Sequence, residues 1–136
     1  MYMLYKGSCR CNDWQVVVSY PGEMKDLNPR VCDCNSCKNK PFGVISDPTM
    51  DISLKGNRVS TTQNGDQIAN FYFCSSCGDF LAVGCKINGL LRGAVNTNLL
   101  HAKKELGASI QIQPRLLSAD EKINRWDKLW GLLNGV

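Results

Sequence analysis

The chain has 136 residues, of which 43% are hydrophobic and 21% are charged. This length and composition fit one globular domain with a sizeable core. No apolar run approaches the roughly 18 residues that a membrane-spanning helix needs, and the residues after Met1 do not resemble an export signal. We therefore expect a single domain over residues 1–136, located in the cytoplasm, with no membrane partner.

The formal net charge is +4, but the basic residues are scattered along the chain. Binding of a nucleic acid requires a patch or stripe of Lys and Arg side chains. Only Lys38 with Lys40 and Lys103 with Lys104 come close together in the sequence. We therefore expect no nucleic-acid partner, and the sequence gives no indication of the oligomeric state.

Short β-rich runs occupy the first three quarters of the chain. They are predicted as strands over residues 15–20, 42–46, 52–55, 58–62, 69–73 and 80–85. Turn residues separate them, and Asn64-Gly65-Asp66 is a strong hairpin signal. This pattern predicts a mainly β domain with mostly antiparallel pairing.

The C-terminal part of the chain changes to a helical pattern. Ser118 and Glu121 have the spacing of a capping box, and Gly135 is placed to end the helix. One helical face carries Ile123, Trp126, Trp130 and Leu133. We expect an amphipathic helix here, with its two tryptophans in the core rather than on a docking surface. A shorter helix is predicted over residues 98–106, ending at Gly107.

Seven of the eight cysteines fall into three clusters with C-x-C, C-x-C-x-x-C and C-x-x-C spacing. Such spacing is typical of tetrahedral zinc sites made of thiolates. Disulfides are disfavoured because cysteines two residues apart close a strained ring and because no export signal precedes them. A redox role for the C-x-x-C cluster is also disfavoured, since it requires no C-x-C companions.

The first and third clusters together supply four thiolates, and the central cluster supplies three. The four are Cys9, Cys11, Cys74 and Cys77, and the three are Cys32, Cys34 and Cys37. Four ligands make a closed structural site, whereas three leave one position for water or substrate. Asn12 and Gly78, each next to a cluster of the first site, are suited to the positive φ of a tight turn. We therefore expect two zinc ions per chain.

A fourth protein ligand for the central cluster is not evident. His101, the only histidine, is interpreted as a surface residue, and Cys85 as a buried free thiol, with ligation of the second metal as the alternative for each. Three thiolates donate so much charge that the metal generates hydroxide poorly but attracts an incoming thiol. The predicted substrate therefore contains sulfur.

The order of these motifs resembles the glutathione-dependent formaldehyde-activating enzyme and centromere protein V family. The resemblance covers residues 7–95, through Gly7-Ser8-Cys9-x-Cys11, Cys32-x-Cys34-x-x-Cys37-Lys38 and Phe73-Cys74-x-x-Cys77-Gly78-x-x-Leu81. It implies a β-rich fold like that of the Mss4 zinc proteins. It also implies a structural zinc on the first and third clusters and a catalytic zinc on the central one.

By this resemblance the expected activity is that of a carbon–sulfur lyase acting on S-(hydroxymethyl)glutathione or a similar adduct. The thiol of glutathione would add to formaldehyde, or the adduct would be cleaved. Lys38 and Arg92 are candidates for attracting a substrate carboxylate. A non-catalytic, zinc-stabilised binding module is the alternative, and a thiol redox or metal-transfer protein is a third class.

Overall fold

The computed structural model describes residues 2–32, 43–63, 68–112 and 116–136, with Cys32 described by its backbone only. These residues form a strand-rich domain with one α-helix in the described part of the chain. The strands are β1 (Met3–Ser8), β2 (Gln15–Tyr20), β3 (Arg30–Cys32), β4 (Val44–Ile45), β5 (Asp51–Lys55), β6 (Val59–Gln63), β7 (Asn70–Cys74), β8 (Phe80–Ile87), β9 (Leu90–Asn96), β10 (Ile110–Ile112) and β11 (Gly131–Asn134), and the helix is α1 (Ala119–Leu129).

All eleven strands belong to one sheet, in the order β1-β2-β5-β11-β9-β4-β3-β10, with β8, β7 and β6 extending from the other edge of β9. Most pairs are antiparallel, but β10 with β3 and β11 with β5 are parallel. The mainly β class is therefore confirmed, and the sheet is mixed. Each parallel pair involves a strand that follows β9, and the sequence pattern did not predict either of these strands.

The first hydrophobic core follows from alternation along β2 and β5. Val16 pairs with Leu54 and Val18 with Ile52, and all four side chains are buried. Because successive side chains of a strand point to opposite faces, this alternation places one apolar face inward. Trp14 and Leu81 belong to the same core.

The second core lies under α1. The Ser118 side chain accepts from the Glu121 backbone N–H and the Glu121 side chain accepts from the Ser118 N–H, so the predicted capping box is present. Ile123 and Trp126 pack against a cluster that includes Val83 and Trp130. The Trp126 and Trp130 rings stack with centroids 4.5 Å apart, which supports the interpretation of these tryptophans as core residues.

The prediction that the C-terminal helix continues beyond Leu129 was wrong. The helix ends there, and the next residues form β11, so that Leu133 reaches the first core from a strand. The backbone edges of β5 and β9 are both paired by β11, and these hydrogen bonds outweigh the local helical pattern. Gly135 has a positive φ of 93°, but it follows a strand and not a helix.

The predicted helix over residues 98–106 is also absent. Two short 3₁₀ turns, Thr97–Leu99 and Lys103–Glu105, stand in its place. The chain passes here against β1, where Leu100 forms a β-bridge with Gly7 and the His101 N–H donates to the Lys6 carbonyl. These contacts with β1 use backbone groups that a continuous helix would occupy internally. Among the described residues, no helix is both long and apolar enough to cross a membrane.

Candidate metal centre

The C-x-C cluster forms the turn between β1 and β2. The Cys9 N–H donates to the Trp14 carbonyl at 3.1 Å, and the Asn12 N–H donates to the Cys9 carbonyl at 3.0 Å. Asn12 has a φ of 62°, as expected from its residue type. These hydrogen bonds fold the backbone into a tight turn. The Trp14 N–H also points at the Cys9 sulfur, 3.4 Å away.

The C-x-x-C cluster forms an equivalent turn between β7 and β8. The Cys74 N–H donates to the Asp79 carbonyl, and the Gly78 N–H donates to the Cys74 carbonyl, each at 2.9 Å. Gly78 has the expected positive φ, 79°. A Cβ at this position would meet nothing within 4 Å, so glycine is favoured for its backbone conformation and not for space.

The two turns bring four sulfurs together. The Sγ atoms of Cys9, Cys11, Cys74 and Cys77 all lie within 4.8 Å of one another. Cys11 Sγ is 3.6 Å from Cys9 Sγ and 3.6 Å from Cys74 Sγ. A tetrahedral zinc with sulfurs at about 2.3 Å requires neighbouring sulfurs about 3.8 Å apart. The cluster therefore fits one metal ion, and the donor set is that of structural zinc.

The protonation of the cluster is consistent with a site for a cation. The Asp13 N–H lowers the pKa of Cys11, but desolvation and the neighbouring thiols outweigh it and raise that pKa to about 12. Desolvation raises the pKa of Cys77, but the N–H groups of Asp79 and Cys11 and the neighbouring thiols bring it down to about 7. A thiol must lose its proton to ligate a metal, so metal binding would release protons from the cluster.

An ion pair joins the two turns outside the sulfurs. The Arg10 side chain donates through Nε to Asp79 Oδ1 at 2.7 Å, and its backbone N–H donates to Asp79 Oδ2 at 2.8 Å. The Arg10 guanidinium also donates to the Cys77 carbonyl. Sequence reasoning missed this pair, because no local signal connects residues 69 positions apart.

The central cluster cannot be placed in the same way. Cys34, Cys37 and Lys38 lie outside the described residues, and so does the side chain of Cys32. Cys32 is the last residue of β3. The next described residue is Gly43, whose carbonyl accepts a hydrogen bond from the Thr97 N–H. The second zinc site therefore stays a prediction.

Cys85 lies far along the sheet from the backbone of Cys32. It is level with Arg92 on β9, whereas Arg30 on β3 is level with Asn96 across β4. The strands β3 and β9 run in the same direction, and Cys32 is two residues beyond Arg30. Measured along the strands, Cys85 and the backbone of Cys32 are therefore about six residues, or ~20 Å, apart. Cys85 is buried beside α1, and desolvation raises the pKa of its thiol. It is a buried free thiol, as expected.

His101 and Arg92 are the two remaining candidates from the sequence. His101 is exposed, in agreement with its interpretation as a surface residue. Arg92 lies within β9 and not on a loop; its Nη1 donates to the Trp130 carbonyl at 3.1 Å, and its Nε is 3.6 Å from Asp127 Oδ1. These contacts join β9 to the end of α1, and the role of Arg92 as a carboxylate anchor stays a prediction.

An open cavity of about 390 Å³ lies between the metal cluster and the end of β9. Its wall includes both members of the ion pair that joins the two cysteine turns. The lining residues are Arg10, Phe73, Gly78, Asp79, Phe80, Asn96, Asn98 and Leu99. Asn96 is level with Arg30, the first residue of β3, across β4.

Comparison with protein families and with curated proteins finds no match to this chain. Among solved structures, the fold is similar to the crystal structure of a protein from Rhodobacter sphaeroides, with a TM-score of 0.54 and 21% sequence identity. The match covers 79% of this chain and 99% of that chain. At this identity the likeness shows a shared fold and nothing about activity.

Proposed function

We propose that this protein is a zinc-dependent carbon–sulfur lyase of the glutathione-dependent formaldehyde-activating type, built on a domain that a structural zinc stabilises. The observation that carries the structural part is the cluster of four sulfurs within 4.8 Å of one another. Zinc binding to such a site contributes about 10 to 16 kcal/mol, which is as large as the stability of a whole domain. Folding is therefore expected to depend on the metal.

The catalytic part of the proposal rests on the spacing of Cys32, Cys34 and Cys37 and on the family resemblance. A second zinc bound there would supply the positive charge that ionises an incoming thiol near neutral pH. The three thiolates would hold it and leave one position open.

The proposed reaction forms one bond between the thiol sulfur of the substrate and the carbonyl carbon of formaldehyde. The thiol proton passes to the carbonyl oxygen, and the product is a thiohemiacetal; the reverse reaction breaks the same bond. Lys38 would attract a carboxylate of the substrate and so hold the sulfur near the open position. These residues then act by binding and orientation, which lowers the entropic cost of bringing two molecules together.

A zinc-stabilised binding module is the second candidate. The closed four-cysteine cluster favours it, because four protein ligands leave no position for a substrate on that metal. On this hypothesis the central cysteines hold a second structural metal or none. The two candidates differ in whether a second zinc accepts an exogenous thiol.

The test is the zinc content per chain of protein purified with a thiol reductant, followed by cobalt replacement and titration with glutathione. The lyase proposal predicts two metals, a change in the cobalt–thiolate absorption on adding glutathione, and loss of turnover but retained folding in Cys37→Ser. The matched control is Cys85→Ala, which also removes one thiol and should keep both metals and turnover. A single metal that is indifferent to glutathione would refute the lyase proposal and leave the binding module.

A further inference from the structure

The four cysteines of the metal cluster differ in their access to solvent. Cys9 and Cys74 are only 2% and 1% exposed and belong to the first hydrophobic core. Cys11 is exposed, and Cys77 is partly exposed. Because a close-packed core has no space for a displaced side chain, Cys9 and Cys74 cannot easily move away from a metal. A metal ion would therefore exchange through the side of the cluster that Cys11 and Cys77 form.

The Arg10–Asp79 ion pair joins the two turns beside these exposed cysteines. Arg10 directly precedes Cys11, and Asp79 follows Cys77 by two residues. The Arg10 Nε and backbone N–H donate to the two carboxylate oxygens of Asp79, at 2.7 Å and 2.8 Å. The guanidinium also donates to the Cys77 carbonyl. The two turns are thus connected by three hydrogen bonds that involve no sulfur atom.

We propose that Arg10 and Asp79 form a latch that slows the exchange of the metal through the Cys11–Cys77 side. Before water or a chelator can replace a sulfur, the two turns must separate at the surface. That separation must break the three hydrogen bonds, two of which accept on a carboxylate and are therefore stronger than neutral ones. Local opening of this kind needs less free energy than global unfolding, so a few surface contacts can control its rate.

The latch concerns the structural zinc of the proposed function and does not depend on lyase activity. An ion pair at the surface adds little to the equilibrium stability of a domain. The Arg10 side chain is 73% exposed, so we expect its loss to change Tm only slightly. The rate of metal release is therefore the quantity that separates a latch from a general contribution to folding.

A latch and a simple effect of charge predict opposite results for Asp79→Asn. Four thiolates around one Zn²⁺ carry a net negative charge, which a positive neighbour stabilises and a negative neighbour destabilises. If charge alone controlled the exchange, removal of the Asp79 charge would slow the release of zinc. The latch predicts faster release, because an amide accepts more weakly from Arg10 than a carboxylate does.

The experiment measures zinc release from the full zinc-loaded chain to 4-(2-pyridylazo)resorcinol, at chelator concentrations where the rate no longer rises. Arg10→Gln and Asp79→Asn should each release zinc about five-fold faster than wild type, the upper range for an exposed ion pair. The double variant should be no faster than the single ones. The matched control is Arg125→Gln, which makes the same charge change at an exposed position of α1 and should keep the wild-type rate.

Labelling with N-ethylmaleimide assigns the release to this cluster. Peptide mass spectrometry of chains that carry one label should find it on Cys11 or Cys77 and not on Cys9 or Cys74. In Arg10→Gln the labelling of Cys11 should accelerate by the same factor as the release of zinc. Raised ionic strength should speed release from wild type more than from Arg10→Gln, because salt screens the pair.

Three results would overturn the latch. They are slower release from Asp79→Asn, equal rates in wild type and both single variants, and first labelling at Cys9 or Cys74. The proposed function fails separately: faster release from both variants in a protein without lyase activity supports the latch and refutes the lyase. A chain that binds no zinc would refute both the latch and the structural zinc.

Discussion

The sheet is held together at two places by two different means. At one end, four cysteines join the β1–β2 turn to the β7–β8 turn. At the other, β11 lies between β5 and β9 and pairs with both through its backbone. The first connection is made by four side chains that could hold a metal ion, whereas the second is made by peptide groups and close packing.

The packing around β11 leaves little space for larger side chains. The Ser46 hydroxyl donates to the Gly93 carbonyl at 2.6 Å and accepts from the Gly131 N–H at 2.8 Å, so one buried side chain joins two strands. A Cβ on Gly131 would lie 2.1 Å from the Met50 carbonyl oxygen. We therefore expect the cysteine connection to need a bound metal ion, whereas the pairing of β11 with β5 and β9 uses backbone groups alone.

The largest expected effect comes from breaking the metal connection. Removal of zinc with a chelator, or Cys74→Ser at a ligand that is 1% exposed, should unfold the domain, because the expected loss of about 10 kcal/mol or more exceeds most domain stabilities. Far-UV circular dichroism and Tm measure it. Cys85→Ala is the control and should stay folded until chelator is added. A chelated protein that keeps its Tm would show that β11 alone holds the sheet.

A moderate effect is expected at the β11 connection. Ser46→Ala leaves the buried Gly131 N–H without an acceptor, which should lower the free energy of unfolding by about 1 to 3 kcal/mol. Urea denaturation of the zinc-loaded chain measures it. Ser53→Ala, on the exposed face of β5, is the matched control and should change stability little. Equal stability of the two variants would argue against a role for the Ser46 hydroxyl in holding β11.

The smallest effect is expected for the ion pair that joins the cysteine turns. Arg10→Gln should lower Tm by no more than a few degrees, and less at high salt, because the Arg10 side chain is 73% exposed and water screens the pair. Together with Asp79→Asn and the double variant, this change completes a double-mutant cycle that measures the interaction free energy of the Arg10–Asp79 pair. A loss as large as that of Cys74→Ser would mean that Arg10 and Asp79 are needed for the metal geometry itself.

Local features of the sequence were predicted well. The cysteine spacing led to the right grouping of Cys9, Cys11, Cys74 and Cys77, and residue type alone anticipated the positive φ of Asn12 and Gly78. The bounds of β2 were also predicted from alternation and flanking turns. Each of these features depends on residues a few positions apart, so the local sequence is sufficient to predict it.

Features that depend on distant partners were not predicted. The strands β1, β3, β9, β10 and β11 lack a strong alternating pattern flanked by turns, and they become strands because open backbone edges elsewhere accept them. The helix ends at Leu129 for the same reason. The contact of Arg10 with Asp79 likewise has no sequence signature.

By itself, the sequence determined which four cysteines come together, the positive φ in the two cysteine turns and the start of the C-terminal helix. Thiolate spacing, glycine or asparagine φ and a capping box are properties of short segments. Only the tertiary structure decided that residues 131–134 form a strand and that Arg92 contacts the end of α1. Strand pairing, desolvation and charge proximity are set by residues far apart in the chain, and the fold alone brings those together.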